Sequence, residues 1–297
     1  MERNLLKKKI SYNYSFPYLT NKIPYHLFGK NNSLNCLFVH GNGFPPLAYE
    51  PLLKSLSLKM KVHAMIQRPF WSTDLNPNLI KNWDIFRNDI LQFIQQNNLK
   101  DTIGIGHSMG AVLLLLIEIE KPGTFKKIFL LDPVITSIVK SILYKILFQF
   151  DLIDKFHPMI KATERKRMTF KTKNDMYEHY RSKDVFSKIS DSNLMKYIES
   201  ITEKENNCIK IKISKNWENS IYRTGSMHDE KIWKNITHIN CSQYVIIPKE
   251  KQFGHFNYGS RLKERNKGIK NFFISDSSHL FPIERPNETA QIILSNL

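Results

Sequence analysis

One serine stands between two glycines in the segment GHSMG, residues 106 to 110. A short β-type run, TIGIG, leads into this segment, and the strongly apolar run MGAVLLLLIEIEK leads away from it. A sharp turn from a strand into a helix crowds the backbone, and glycines two positions before and after the serine relieve that crowding. The pattern therefore predicts that Ser108 is a nucleophile at the end of a strand, beside the N-terminus of the following helix.

A serine is a weak nucleophile at neutral pH unless a base takes its proton. His279 lies in the polar segment SDSSHLFPIERP, between the last predicted strand and the last predicted helix. From this loop it can reach across the carboxyl edge of a sheet, so we predict that His279 is the base. His107 is expected to pack and His40 to order its own loop, whereas His255 is the alternative base.

The imidazole of a catalytic histidine needs a carboxylate that fixes its tautomer and stabilises its charge. Asp132 ends the predicted strand KKIFLLD, and Glu250 follows the predicted strand QYVIIP at the same edge. Asp132 lies on the more tightly determined turn and is preferred, with Glu250 as the alternative. Asp276 is too close to His279 in sequence to reach its ring easily.

Attack on a carbonyl group produces an oxyanion, which requires preorganised hydrogen-bond donors. The glycine-rich turn HGNG, which follows the predicted strand NCLFVH, lets the backbone approach a substrate closely. We predict that the backbone amides of Asn42 and Met109 form the oxyanion hole. Gly43 is the alternative to Asn42.

Short β-branched and aromatic runs alternate with helical patterns, which is typical of a mostly parallel sheet covered by helices on both faces. The predicted strands are NCLFVH (35–40), KVHAMIQR (61–68), TIGIG (102–106), KKIFLLD (126–132), QYVIIP (243–248) and IKNFFIS (269–275). The segments KKKISYNYSF and IPYHLFG are expected to add an antiparallel pair at one edge. The fold class is therefore α/β.

The alternation stops between the fourth and fifth predicted strands, and more than a hundred residues there carry almost no buried-strand signal. We predict a mainly helical cap over residues 133–240, inserted into a core of residues 1–132 and 241–297. The cap opens with apolar residues at helical spacing: Ile135, Ile138, Val139, Ile142, Leu143, Ile146, Leu147 and Phe150. This face is expected to pack on the main domain; the alternative is a membrane surface.

The order of HGNGF, GHSMG, LDPV and SSHLFPIERP resembles the α/β-hydrolase superfamily over about residues 34–297. The resemblance is strongest to esterases and lipases that have a serine nucleophile and a helical cap. RPFW and NWENSIY are similar to segments of a group of poorly characterised hydrolases of this type. Epoxide hydrolases and haloalkane dehalogenases share the fold but have aspartate at the position of Ser108, which argues against both activities.

These residues predict a serine hydrolase that cleaves a small, lipophilic carboxylic ester through an acyl-enzyme on Ser108, with no metal and no cofactor. A thioesterase or lactonase is a related alternative. A ligand-binding protein on the same fold, without turnover, is the alternative outside enzymes.

The 297 residues carry 44 Lys and Arg against 27 Asp and Glu, a formal net charge of +17. The basic residues are spread along the chain without a nucleic-acid motif, so no nucleic-acid partner is expected, although a weak association with an anionic membrane surface stays open. Three cysteines do not form a disulfide framework and fit a reducing compartment. The start of the chain lacks the apolar core of a signal peptide, and the expected location is the cytoplasm. The final Ser295-Asn296-Leu297 weakly resembles a peroxisomal signal.

Overall fold

A computed structural model describes residues 23–71, 75–250 and 259–297 of the chain. The predicted strand KKKISYNYSF and the alternative base His255 lie outside these residues.

A seven-stranded, mostly parallel sheet forms the centre of the fold. Its strands are β1 (Tyr25–Phe28), β2 (Asn35–Val39), β3 (Lys61–Met65), β4 (Thr102–His107), β5 (Phe125–Leu131), β9 (Ser242–Pro248) and β10 (Lys270–Ile274), with β6, β7 and β8 lying in the segment between β5 and β9. The strand order is β1-β3-β2-β4-β5-β9-β10, and only β1 runs antiparallel to its neighbour, β3. The predicted segment IPYHLFG therefore forms an antiparallel edge strand.

Helices cover the strands of this sheet. In chain order the helices are α1 (Glu50–Leu56), α2 (Asp84–Gln96), α3 (Met109–Glu120), α4 (Ile138–Gln149), α5 (Ile153–Phe156), α6 (Pro158–Glu164), α7 (Lys173–Arg181), α8 (Asp191–Ile201), α9 (Lys215–Arg223), α10 (Asp229–Asn235), α11 (Leu262–Arg265), α12 (Phe281–Glu284) and α13 (Pro286–Leu294). Every residue of β4 is buried, and α3 is buried over most of its length. Continuous apolar runs are needed at such positions because both faces of the strands are covered.

The carboxyl ends of four parallel strands lie side by side in the register of the sheet. Val39 pairs with Gly106, His107 pairs with Leu131, and Leu131 pairs with Ile246. The loops that follow β2, β4 and β5 therefore begin at one edge, and the loop after β10 begins at the same edge because β10 runs parallel to β9. This edge is where ligands bind in open α/β sheets.

The segment between β5 and β9 contains α4 to α10 together with a small antiparallel sheet in the order β6-β8-β7. The sheet is formed by β6 (Thr169–Phe170), β7 (Thr202–Glu205) and β8 (Cys208–Ile211), none of which was predicted. These strands have two to four residues, and Glu203, Lys204 and Glu205 of β7 are exposed. Strands this short leave no recognisable buried-strand pattern in a sequence.

The apolar face of α4 does not pack on the main domain, which corrects the expectation from the sequence. Ile135, just before the helix, is fully buried, but Val139 is 76% exposed, Leu143 is 55% exposed and Phe150 is 69% exposed. The side of α4 that packs against α10 instead carries polar residues. No helix in the described ranges is long and apolar enough to cross a membrane.

Candidate active site

Ser108 lies on a strained turn between β4 and α3. Its φ is 56° and its ψ is −116°, a conformation that side-chain-bearing residues rarely adopt. The flanking glycines are required by space as well: a Cβ at Gly106 would lie 2.5 Å from the Gly110 carbonyl carbon, and a Cβ at Gly110 would lie 2.1 Å from the Val39 oxygen. The turn therefore has the geometry that the G-x-S-x-G spacing predicts.

The structure brings Ser108 together with both residues that were preferred as its partners. The Oγ atom of Ser108 lies 3.0 Å from Nε2 of His279, and Nδ1 of His279 lies 2.5 Å from Oδ2 of Asp132. Asp132 is only 1% exposed, whereas the His279 side chain is 21% exposed. Because Asp132 accepts the Nδ1 proton, the neutral imidazole presents an unprotonated Nε2 to the serine.

Neither of the other two carboxylates weighed from the sequence contacts His279. Glu250 is exposed, and hydrogen bonds from the backbone of Asp276 and Ser277 lower the pKa of its carboxyl. Asp276 forms ion pairs with Lys188, at 2.7 Å, and with Arg285, at 2.6 Å. Both groups support the loop around His279 from its surface side.

His107, the neighbour of Ser108, holds the backbone of His279. Its Nε2 donates to the His279 carbonyl oxygen at 2.9 Å, and its Nδ1 accepts from the Tyr49 hydroxyl at 2.7 Å. Burial, and after it the neighbouring His279, keeps the pKa of His107 well below its usual range, so the ring is neutral. The sequence predicted packing for His107 but not this support, and it gave no indication of Tyr49.

The predicted oxyanion turn forms a tight bend beside the nucleophile. The Phe44 amide donates to the Gly41 carbonyl oxygen at 3.3 Å, and Gly43 has a φ of 77°. This matches the third position of a type II β-turn, which favours glycine. A Cβ at Gly41 would lie 3.3 Å from the Ser108 Cβ, so the turn lies directly against the elbow.

The two amides predicted to bind an oxyanion are available for hydrogen bonding. Met109 begins α3, and the first amides of a helix have no acceptor within the helix. Across the described ranges, neither the Met109 amide nor the Asn42 amide has an intramolecular acceptor.

The segment between β5 and β9 contacts the same turn through Glu218 on α9. The Asn42 side-chain amide donates to the Glu218 carbonyl oxygen at 3.2 Å, and Glu218 Oε1 would lie 2.8 Å from a Cβ at Gly43. Lys166 pairs with this carboxylate at 2.7 Å, and both side chains are largely buried. The ion pair lies within the segment between β5 and β9 and fixes the Glu218 side chain beside the turn; removal of one partner of such a buried pair costs about 3–5 kcal/mol.

The loop after β3 is fixed to the oxyanion turn through His40. Its Nδ1 donates to the Gly41 carbonyl oxygen at 2.8 Å, and its Nε2 accepts from the Gln67 amide at 3.0 Å. These contacts require one neutral tautomer. Burial lowers the pKa of His40 to about 4, which is consistent with a neutral ring and with its predicted role in ordering its own loop.

Two further findings bear on ligands. In the part of the chain that the structure describes, no group of three or more His, Cys, Asp or Glu side chains is arranged to hold a metal ion. Two aromatic side chains of the segment between β5 and β9 do not face the site: Phe150 lies on the outer surface, and Trp217 packs edge-on against Phe86 at 6.2 Å.

No protein-family model and no curated protein sequence matches the chain. Solved structures do: a thioesterase domain from the curacin biosynthetic pathway has a TM-score of 0.73 at 16% identity and covers 96% of this chain and 99% of its own. A peroxisomal alpha-beta-hydrolase from Saccharomyces cerevisiae has a TM-score of 0.71 at 18% identity, with 97% and 87% covered. A marine microorganism esterase has a TM-score of 0.64 at 18% identity, with 93% and 99% covered.

Proposed function

Because the chain has the α/β-hydrolase fold, we propose that it is a serine hydrolase that cleaves carboxylic esters through an acyl-enzyme on Ser108. The observation that carries the proposal is the pair of contacts from Ser108 Oγ to His279 Nε2, at 3.0 Å, and from His279 Nδ1 to Asp132 Oδ2, at 2.5 Å. A serine needs this sequence of contacts to lose its proton during attack on a carbonyl carbon.

In the first half of the reaction, Ser108 Oγ attacks the ester carbonyl carbon while His279 takes the hydroxyl proton. Asp132 stabilises the resulting imidazolium across their hydrogen bond. The protonated His279 then donates its proton to the leaving alkoxide as the carbon–oxygen bond breaks. In the second half, a water molecule gives a proton to His279 while its oxygen attacks the acyl carbon. The bond from that carbon to Ser108 Oγ then breaks, His279 returns the proton to Oγ, and the carboxylic acid is released.

The backbone amides of Met109 and Asn42 are proposed to bind the oxyanion, with Gly43 as the alternative to Asn42. The available amide hydrogens and the position of the turn against Ser108 support this assignment. Removing one such donor typically costs a factor of about 10²–10³ in rate.

The proposed substrate is a small, lipophilic ester. Aromatic side chains on either side of the oxyanion turn support this choice: Phe44 stacks on Tyr197 at 4.7 Å, and Phe70 packs edge-on against His40 at 5.6 Å. Thioesters share the same acyl chemistry and are the alternative substrates, in line with the activity named for the curacin domain.

The first experiment labels the protein with a fluorophosphonate probe, which reacts only with an activated serine. We expect wild type and the control Ser187→Ala, which removes an exposed serine, to be labelled equally, and Ser108→Ala to be unlabelled. Equal labelling of Ser108→Ala and wild type would contradict the proposal.

The second experiment measures kcat/KM on p-nitrophenyl esters and on matched acyl thioesters of increasing chain length. We expect Ser108→Ala to lose a factor of about 10⁴ or more on the preferred series. Tight binding of esters by both proteins, without turnover by wild type, would instead indicate the non-catalytic binding protein.

A further inference from the structure

The exposed apolar side chains of the protein are concentrated in one segment. Most of the large apolar residues exposed in the described ranges lie between positions 134 and 159, and we refer to this surface as the 134–159 face. Its members are Val134, Val139, Ile142, Leu143, Ile146, Phe150, Phe156 and Met159. Contiguous apolar surface of this kind marks an interaction site, whereas single exposed apolar residues do not.

Helix α4, at the centre of this face, turns its polar side toward the protein and its apolar side outward. An ordinary surface helix does the opposite. The Ser141 hydroxyl donates to the Ser226 carbonyl oxygen, the Tyr144 hydroxyl donates to the Tyr222 carbonyl oxygen, and Lys145 pairs with a carboxylate on α10. Its polar side therefore faces the protein. The exposed side carries the positions 139, 142, 143, 146 and 150, which lie on one helical face.

The charges around the 134–159 face are mainly basic. Helix α4 contains two lysines and no acidic residue. Lys155, Lys161 and Arg165 are exposed, and among the described residues no carboxylate pairs with any of them. Of the acidic residues in this region, Asp154 is paired with an arginine on α9, Glu164 accepts an asparagine amide, and Asp151 is exposed.

We propose that the 134–159 face binds the surface of an anionic lipid membrane. Exposed apolar side chains bordered by Lys and Arg are what a helix lying in the membrane interface requires. A second copy of the chain fits less well, because a symmetric contact would bring Lys155 and Lys161 of both copies together in one interface. Anionic headgroups satisfy these charges while the acyl region takes the apolar side chains.

Helix α4 connects this docking surface to the candidate active site. Helix α4 begins six residues after Asp132, and Tyr144 connects it to Tyr222, whose hydroxyl lies beside Asn42 in the oxyanion turn. A lipophilic ester dissolved in the membrane would then reach the site from the cap side. This last step rests on the proposed function, whereas the docking itself does not.

The test measures vesicle binding by flotation, at low and at high salt. One set of vesicles contains phosphatidylcholine alone, and the other contains phosphatidylcholine and phosphatidylserine in equal parts. The variant Leu143→Asp/Ile146→Asp removes two apolar contacts from the face. Its matched control is Leu58→Asp/Leu79→Asp, which changes residues that are 75% and 69% exposed elsewhere. Circular dichroism and thermal unfolding check that both variants are folded.

We expect wild type to bind the mixed vesicles more tightly at low salt than at high salt. The 143/146 variant should bind about a hundredfold more weakly, because each buried aliphatic side chain contributes roughly tenfold or more. The control should bind like wild type. Ser108→Ala should also bind like wild type. A wild-type protein that binds the mixed vesicles but cleaves none of the esters or thioesters would refute the proposed function and leave the docking intact.

Three results would overturn the proposal. The first is no binding of wild type to the mixed vesicles, or equal binding to both vesicle types. The second is an equal loss of binding in the 143/146 variant and in its control. The third is a wild-type dimer in solution that dissociates in the 143/146 variant, which would show that a second copy of the chain occupies this face.

Discussion

Asp132→Asn changes one oxygen of the buried carboxylate to an amide nitrogen and leaves the size of the side chain nearly unchanged. Asp132 is 1% exposed and lies 2.5 Å from His279 Nδ1. The asparagine can donate its amide to Nδ1, which moves the imidazole proton to Nε2. In that tautomer His279 cannot take the proton of Ser108.

Two effects set the expected loss of activity. The carboxylate no longer attracts the imidazolium that forms in the transition state, an interaction of about 4 kcal/mol for charges about 4 Å apart at an effective dielectric constant of about 20. That energy corresponds to a factor of about 10³ in rate. Population of the unreactive tautomer adds to this, and the total approaches the factor of about 10⁴ typical for such a change.

The assay is kcat on the best p-nitrophenyl ester, with active serines counted by fluorophosphonate titration and folding checked by thermal unfolding. Glu250→Gln is the matched control, because it makes the same chemical change at the other carboxylate considered from the sequence. We expect it to retain activity within about threefold, since Glu250 is exposed and its carboxyl accepts hydrogen bonds from the backbone of Asp276 and Ser277. A large loss in Glu250→Gln combined with a near-normal Asp132→Asn would refute the reasoning.

Three further predictions concern stability. Gly110→Ala would place its Cβ 2.1 Å from the Val39 carbonyl oxygen, so we expect it to fail to fold or to unfold at a much lower temperature, whereas Gly225→Ala, with no contact under 3.4 Å, should unfold like wild type. Burial lowers the pKa of four histidines to about 4: His26, His40, His63 and His157. Because the unfolded chain binds these protons below about pH 6.5 and the folded chain does not, each should remove about 2 kcal/mol of stability at pH 5 relative to pH 8; guanidinium unfolding that shows no loss between these values would contradict this. Burial raises the pKa of Asp229 to about 7, which destabilises the fold increasingly as the pH rises from about 4 to 7. Asp229→Asn should therefore be more stable than wild type at pH 8, by up to about 4 kcal/mol, and equally stable near pH 4; an unchanged difference across this range would contradict the assignment.

The sequence was most informative where backbone geometry restricts residue type. Gly106 and Gly110 are required because a Cβ at either position would overlap the backbone of the elbow or of β2, so the motif alone predicted the turn at Ser108. The alternation of buried runs predicted the α/β fold, and the solved structures confirm the α/β-hydrolase fold.

The sequence was less informative about contacts between segments that are far apart in the chain. Asp132 and Glu250 both follow strands at the same sheet edge, and local sequence does not determine which carboxylate reaches His279. Tyr49 gave no signal because its contact with His107 joins segments 58 residues apart. Helix α4 was placed incorrectly because apolar periodicity identifies the apolar face but not what covers it.

The contact between Glu218 and the turn at Asn42 and Gly43 has a consequence for how proteins of this architecture can diversify. Residues far apart in the chain hold one loop in shape, so replacing the segment between β5 and β9 by a foreign one would remove a supporting contact beside the nucleophile. Recombination between homologues would then succeed only when positions 42, 43, 166 and 218 are inherited together. The segment between β5 and β9 is therefore tied to the oxyanion turn by side-chain contacts as well as by the two strands that it connects.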